Sequence, residues 1–318
     1  MIKISAPGKI HLLGEHTVVY GKPALLTTVN LRVTVTLQPC HSGKQVSERN
    51  QNLDSGVVAS LLPRMTKTIE PIVKKYLQLK TIPPYQLTID SQIPLGAGLG
   101  SSAAVSAAYI AALISHLGHK WDLNLINKLT FEAEKVFHGN PSGGDNSTVV
   151  FGGLIWYQKG KGVQPLTPLT FSIPPKLAQN FMLINTGKPK ETTKQMVEMV
   201  AAKSEKFKKI FDNQEKLVRE LLSTIQNANE NQLIQIIRAG EKNLEAIGVV
   251  SPYVASVIRK IENAGGAAKI CGAGGKTKAT GILVCYHLKP SAIENIAKSH
   301  NLDYFKTTLG VQGLKTEN

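Results

Sequence analysis

Pro94-Leu95-Gly96-Ala97-Gly98-Leu99-Gly100-Ser101-Ser102-Ala103-Ala104 is the stretch on which the reading of this chain turns. Three glycines in five residues remove side chains where a backbone must approach something closely. Two hydroxyls follow, and then Val105-Ser106-Ala107-Ala108-Tyr109-Ile110, a strong helix former. Ahead of the loop, Tyr85-Gln86-Leu87-Thr88-Ile89-Asp90 alternates like a strand. The first N–H groups of a helix lack internal partners and its dipole favours negative charge, so a glycine loop opening into a helix is a ready phosphate site. A plain strand-to-helix turn uses the same residue types. Two familiar nucleotide fingerprints fail. The dinucleotide pattern needs its third glycine one place later than Gly100, and the Walker A pattern ending in Gly275-Lys276-Thr277 would need a glycine where Ile270 stands.

Outward from the loop, Ile2-Lys3-Ile4-Ser5 and Leu31 to Leu37 show period two, and residues 53–80 have helical spacing. Ser102 to Leu117 reads as a helix ending at Gly118, and Leu123 to Phe137 as a second. Strands are expected around Val149-Val150 and Leu154–Tyr157. Pro165, Pro168, Pro174 and Pro175 mark a domain boundary. Beyond it come a strand at Phe181–Ile184, several helices from Thr192 through Ile247, a helix from Tyr253 to Asn263, and strands at Ala268–Ile270 and Gly281–Val284. Helices and strands mix without strict alternation. The class is therefore α+β, in two domains, 1–170 and 171–318.

Composition excludes several classes. The chain has 318 residues, 42% hydrophobic and 19% charged, which suits a globular protein with a sizeable core. No apolar run approaches the ~18 residues of a membrane span. Met1 to Pro7 lacks the apolar core of a secretory leader and reads as a first strand. Cys40, Cys271 and Cys285 have no paired or metal-like spacing, and a reducing cytoplasm is expected. The formal charge of +15 is spread along the chain. From Lys188 to Arg219 the lysines are interleaved with Glu191, Glu198, Glu205, Asp212 and Glu215, the pattern of a solvated helix face. No aromatic residues alternate with basic ones, so no nucleic acid and no membrane is expected, and the charge serves to attract small anions.

Three further constellations accompany the loop: Pro7-Gly8-Lys9-Ile10-His11-Leu12-Leu13-Gly14-Glu15-His16; Phe131-Glu132-Ala133-Glu134 with Pro141-Ser142-Gly143-Gly144-Asp145-Asn146; and Lys269-Ile270-Cys271-Gly272-Ala273-Gly274-Gly275. Together, in this order, they resemble the GHMP kinase superfamily, and within it the mevalonate kinase branch. The resemblance covers nearly the whole chain, Ser5 to Gly313. It implies an N-terminal domain like ribosomal protein S5, a C-terminal ferredoxin-like α/β domain, and an active site in the cleft between them. It also implies ATP and Mg²⁺ as cofactors, mevalonate as a small-molecule substrate, and a homodimer.

Carried over residue by residue, the resemblance places ATP on Ser91, Gly96, Ala97, Gly98, Leu99, Gly100, Ser101 and Ser102. It places Mg²⁺ on Ser102 and Glu134, a hydroxyl and a carboxylate suited to an oxygen-seeking cation. Asp145 would accept the proton of the attacking hydroxyl, and Lys9 would lie beside it and polarise the same hydroxyl. Glu15, His16 and Thr192 match the substrate end. Thr192 reads equally well as a helix N-cap, Ser91 as a turn residue before Pro94, and His16 as a structural histidine. One departure concerns the acceptor: where the family continues with glycine, this chain has Lys276-Thr277-Lys278, a bulkier and more basic loop. Phosphomevalonate, the mevalonate 3-hydroxyl, homoserine or a sugar are the alternative acceptors.

Overall fold

From Ala103 to Ile114 every residue but the partly exposed Val105 is buried, as expected for a helix that is apolar nearly all round. Its alanines let neighbouring elements approach closely, and the first half of the chain is assembled around it. The computed structural model describes residues 1–40, 45–46, 55–94, 96–138, 141–158 and 166–317. In chain order the first half comprises β1 (Ile2–Leu13), a short 3-10 turn (Thr17–Tyr20), β2 (Ala24–Pro39), β3 (Gln45–Val46), α1 (Ser55–Leu77), β4 (Tyr85–Ser91), α2 (Ser101–His116), α3 (Leu123–His138), α4 (Gly144–Phe151), β5 (Leu154–Tyr157) and β6 (Leu166–Pro168). The second half comprises α5 (Pro175–Ala178), β7 (Phe181–Asn185), α6 (Thr193–Ala201), α7 (Ser204–Gln226), α8 (Glu230–Ala246), α9 (Pro252–Asn263), β8 (Ala267–Ile270), β9 (Ile282–Tyr286), α10 (Pro290–Ser299), β10 (Asp303–Lys306) and β11 (Lys315–Thr316).

Two sheets result. The first has seven strands in the order β11-β1-β2-β4-β3, with β5 and then β6 added along the other part of β2. The sixteen-residue β2 pairs β1 along one edge and, along the other, β4 over Val33–Pro39 and β5 over Ala24–Thr27. The second sheet is antiparallel, β10-β7-β9-β8. Three of its strands, β7, β8 and β9, are buried on both faces, so successive residues enter different cores. Phe181 and Leu183 of β7, and Ile282, Val284 and Tyr286 of β9, join the large core around α2. Met182 and Ile184, with Leu283 and Cys285, face a second core lined by α6, α7 and α9. Leu217, Val218 and Leu221 of α7 and Leu233 and Ile236 of α8 also enter the large core, so one apolar interior runs through both halves.

The expected strand at Val149-Val150 is instead part of α4. Gly143, with φ of 92°, turns the chain into this helix, and both valines are buried. Burial in a packed site overrides the β preference of valine. The first strand is longer than its alternating residues suggest, because the backbone runs straight through Pro7-Gly8-Lys9 to Leu13. Of the boundary prolines, Pro165 lies outside the described residues, Pro168 still pairs with Ile155 in the first sheet, and Pro174 caps α5. Residue 170 therefore falls between β6 and α5, but the end of the chain crosses back. Gly310 N donates to Thr28 O at 2.9 Å, Leu314 N to Val150 O at 3.1 Å, and β11 pairs with the edge of β1. Nothing in the local sequence signals that return.

The tail docks against α4 with no room to spare. A Cβ at Gly313 would stand 2.3 Å from Val150 O and 2.6 Å from Gly152 N, backbone atoms that cannot swing aside. Gly313→Ala is expected to destabilise the fold by roughly 3 kcal/mol. Denaturant titration followed by circular dichroism measures this, and an unchanged midpoint would show that the tail does not dock here.

Candidate active site

The glycine loop alternates like a strand although it is not one. Ala97 and Leu99 are buried and anchor it in the core, while Gly96 and Gly98 face outward as bare backbone. All three glycines have left-handed φ, from 68° to 86°, which leaves their N–H groups free of side-chain cover. Gly100 is the N-cap of α2, so the unpaired first-turn N–H groups of a sixteen-residue helix open onto the loop. Two contacts pin the loop from below: Lys9 N donates to Leu99 O at 2.9 Å, and Ile282 N to Ala97 O at 3.2 Å.

Lys9 rises from β1 between two irregularities in its pairing with β2, one at Pro7/Gly8 and one at His11/Leu13. Such shifts re-aim side chains. Its stem runs against Gly100, where any Cβ would come within 2.9 Å of Lys9 Cγ. The side chain is only 4% exposed, and Nζ lies 2.9 Å from Asp145 Oδ1. Burial alone would pull the ammonium pKa down; Asp145 outweighs it and holds it above the usual lysine value. Asp145 sits in the first turn of α4 and is 38% exposed on the side away from this contact, open to an incoming group.

Ser102 and Glu134 also meet. Ser102 Oγ donates to Glu134 Oε2 at 3.2 Å and lies 3.1 Å from His138 Nε2. Glu134 Oε1 is buried with no partner. Burial first, and then the nearby Asp145, push the Glu134 carboxyl up to about 7. A divalent cation would satisfy the orphaned oxygen and reverse that shift, so the pair fits a magnesium ion.

Beneath Lys9 lies a second buried cation. Lys269 is fully buried on β8 and spends its three N–H bonds on Glu15, on Ile270 O at 2.6 Å and on His11 O at 3.3 Å. Burial pushes the Glu15 carboxyl up against the pull of Lys269, and its Oε2 has no partner. Glu241 of α8, also fully buried, accepts from Ile270 N at 3.0 Å, and burial holds its carboxyl well above the usual range. Sequence reasoning assigned no role to Lys269, Glu241, His11 or His138. Lys269 had a signal, a lysine inside an otherwise apolar strand; Glu241 had none.

The remaining candidates make local or clamping contacts. His16 Nε2 donates to Ala273 O at 3.1 Å, joining the first motif to the last, and burial lowers its pKa to about 4. Thr192 is exposed and forms a capping box with Gln195 at the start of α6. Ser91 accepts from Ile93 N at 3.1 Å within its own turn. The basic loop is tied away by Thr277 Oγ1 donating to Glu191 at 2.6 Å and Ser251 Oγ to Lys278 O at 2.5 Å. Both Lys276 and Lys278 are exposed.

Residues 64–153 match the GHMP kinases N terminal domain. The mevalonate kinase of Archaeoglobus fulgidus is 33% identical over 272 residues, covering 85% of this chain and 88% of its own length. The structure of L. major mevalonate kinase in complex with R-mevalonate superposes with a TM-score of 0.83 at 22% identity, over 98% of this chain and 96% of that one. Streptococcus pneumoniae phosphomevalonate kinase, in complex with phosphomevalonate and AMPPNP, superposes at 0.76 with 17% identity, over 97% and 100% of the two chains. These superpositions show a shared fold, and the fold is common to kinases of different acceptors. The sequence relationship is closer and spans most of both chains: the protein belongs to the mevalonate kinase family of the GHMP kinases.

Proposed function

We propose that the protein transfers the γ-phosphate of ATP to the C5 hydroxyl of mevalonate, giving mevalonate 5-phosphate and ADP. The observation that carries this reading is the 2.9 Å contact between the buried Lys9 ammonium and Asp145, with Lys9 packed against the glycine loop. The relatives named mevalonate kinase support the choice of acceptor.

Phosphoryl transfer is governed by positioning and charge neutralisation. The N–H groups of residues 96–102 receive the phosphates. Ser102 and Glu134 would hold magnesium, which would neutralise phosphate charge. The acceptor hydroxyl lies against Asp145 and Lys9. As its oxygen bonds to the γ-phosphorus, the bond to the ADP oxygen breaks and the hydroxyl proton passes to the Asp145 carboxylate. Lys9 steadies the negative charge that develops. Glu15, His16 and Thr192 belong to the substrate end, with Ser91 on the nucleotide side. Residues 1–170 form the nucleotide-binding domain and 171–318 the second, apart from the returning last strand. In this reading the enzyme is a cytoplasmic homodimer, which sedimentation equilibrium tests by the mass of the particle. Among the described residues no helix is long and apolar enough to cross a membrane.

Asp145→Asn and Lys9→Met are each expected to lower kcat by about 10²–10⁴-fold with the fold retained by circular dichroism, Asp145→Asn at a lower melting temperature because it leaves the buried Lys9 ammonium without its ion pair. Near-normal turnover in either would remove the assignment. ATP consumption with mevalonate, phosphomevalonate, homoserine and galactose, with the phosphorylated carbon assigned by NMR, tests the acceptor; product on the 3-hydroxyl, or turnover confined to another alcohol, would replace it. Glu134 gives a pH prediction. Its folded-state pKa is raised from 4.5 to about 7, so the neutral acid favours the fold and that contribution fades as pH climbs across this window. The melting temperature of the nucleotide-free wild type should therefore fall between pH 4.5 and about 7 relative to Glu134→Gln. Parallel curves for the two proteins would refute the assigned environment.

A further inference from the structure

His11 has no role in the reaction as described, yet it lies between the two buried ammonium groups. Lys9 and His11 are two residues apart on β1, so their side chains share one face of the strand. Lys9 Nζ is 3.4 Å from His11 Nδ1, and the His11 backbone carbonyl accepts from Lys269. An ammonium can only donate, so Nδ1 must accept and the ring proton must sit on Nε2. The charged groups around the ring are Lys9 and Lys269, with Glu15, Cys271 and His16 beside them. Burial and the two ammonium groups hold the ring pKa well below the usual histidine range, which keeps it neutral and able to accept.

Building on the proposed reaction, we propose that His11 is a positioning residue that fixes the Lys9 ammonium between Asp145 and the acceptor hydroxyl. The stem of a lysine has four rotatable bonds, and a single ion pair does not define where its three N–H vectors point. A second acceptor does. With one N–H on Asp145 and one on His11, the third is directed to where the acceptor oxygen must arrive. The same ring, with Glu15 and Cys271, places three possible metal-ligand atoms within 4.8 Å of one another. Two ammonium groups already border that point, one bonded to the ring and one to the carboxylate, and they would repel an added cation. The trio is read as an ammonium cradle and not as a metal centre.

The test combines kinetics with a measurement that does not depend on turnover. His11→Leu removes the acceptor while keeping an apolar side chain; His11→Asn restores an amide acceptor near the position of Nδ1. His11→Leu should lower kcat roughly ten- to a hundredfold with both KM values within about twofold. His11→Asn should recover to within about threefold of the wild type. In ¹⁵N-histidine-labelled wild-type protein at pH 7, the signal absent from His11→Asn should report a neutral ring protonated on Nε2. An Nδ1-protonated or doubly protonated ring, an unchanged kcat in His11→Leu, or an asparagine variant as slow as the leucine variant would each overturn the proposal. A wild-type protein inert towards mevalonate would instead sink the proposed acceptor, and the ring signal would still decide the Lys9 contact.

Discussion

A lysine ammonium that is almost wholly withdrawn from water is the constraint on which this structure turns. An unpaired charge in such a place costs several kcal/mol, so its partners must be delivered with the fold. Asp145 is delivered by α4, whose start is set by the left-handed Gly143. The wall behind the lysine is Gly100, which has no side chain to push it aside. The floor is β1 itself, whose amide at Lys9 ties down the glycine loop. The charge, the glycine loop and the carboxylate are therefore one packing problem with one solution.

The same logic is repeated one layer down. Lys269 comes from the second sheet and is neutralised by Glu15 from the end of β1, two positions separated by 254 residues. With the His16 contact to Ala273, this pair clamps the two halves against each other. Pairing buried charges across an interface adds little net stability over an apolar contact, but it penalises every misaligned arrangement. The large apolar core already joins the halves; the buried ion pairs define how they sit around the site.

In the proposed reaction the phosphate end and the acceptor end are built differently: the phosphates would be met by backbone groups and by Ser102 with Glu134, all from the first half, and the acceptor by groups from both halves. The lysines added to the last glycine loop are exposed, and its threonine is held by Glu191 and not by the Lys9–Asp145 pair. The basic surface, carrying a net +15 over the chain, is thus separate from the two buried ammonium groups that do the local electrostatic work.

What the amino-acid order determined by itself was the local grammar. The glycine loop opening into α2, the alternation of β1, β2 and β4, the apolar run of β7, and the break before α9 at Ser251-Pro252 all follow from neighbouring residues, because backbone conformation and side-chain periodicity are set over a few positions. Motif order added Lys9, Asp145, Ser102 and Glu134. Tertiary structure alone decided that Val149-Val150 would be helical, that the final strand would return to β1, and that Lys269 would be paired with Glu15. Each of those depends on which surface comes to lie against which. A buried charge or a strand edge is satisfied by whatever group the packed fold places beside it, and its nearest neighbours in the chain carry no record of that partner.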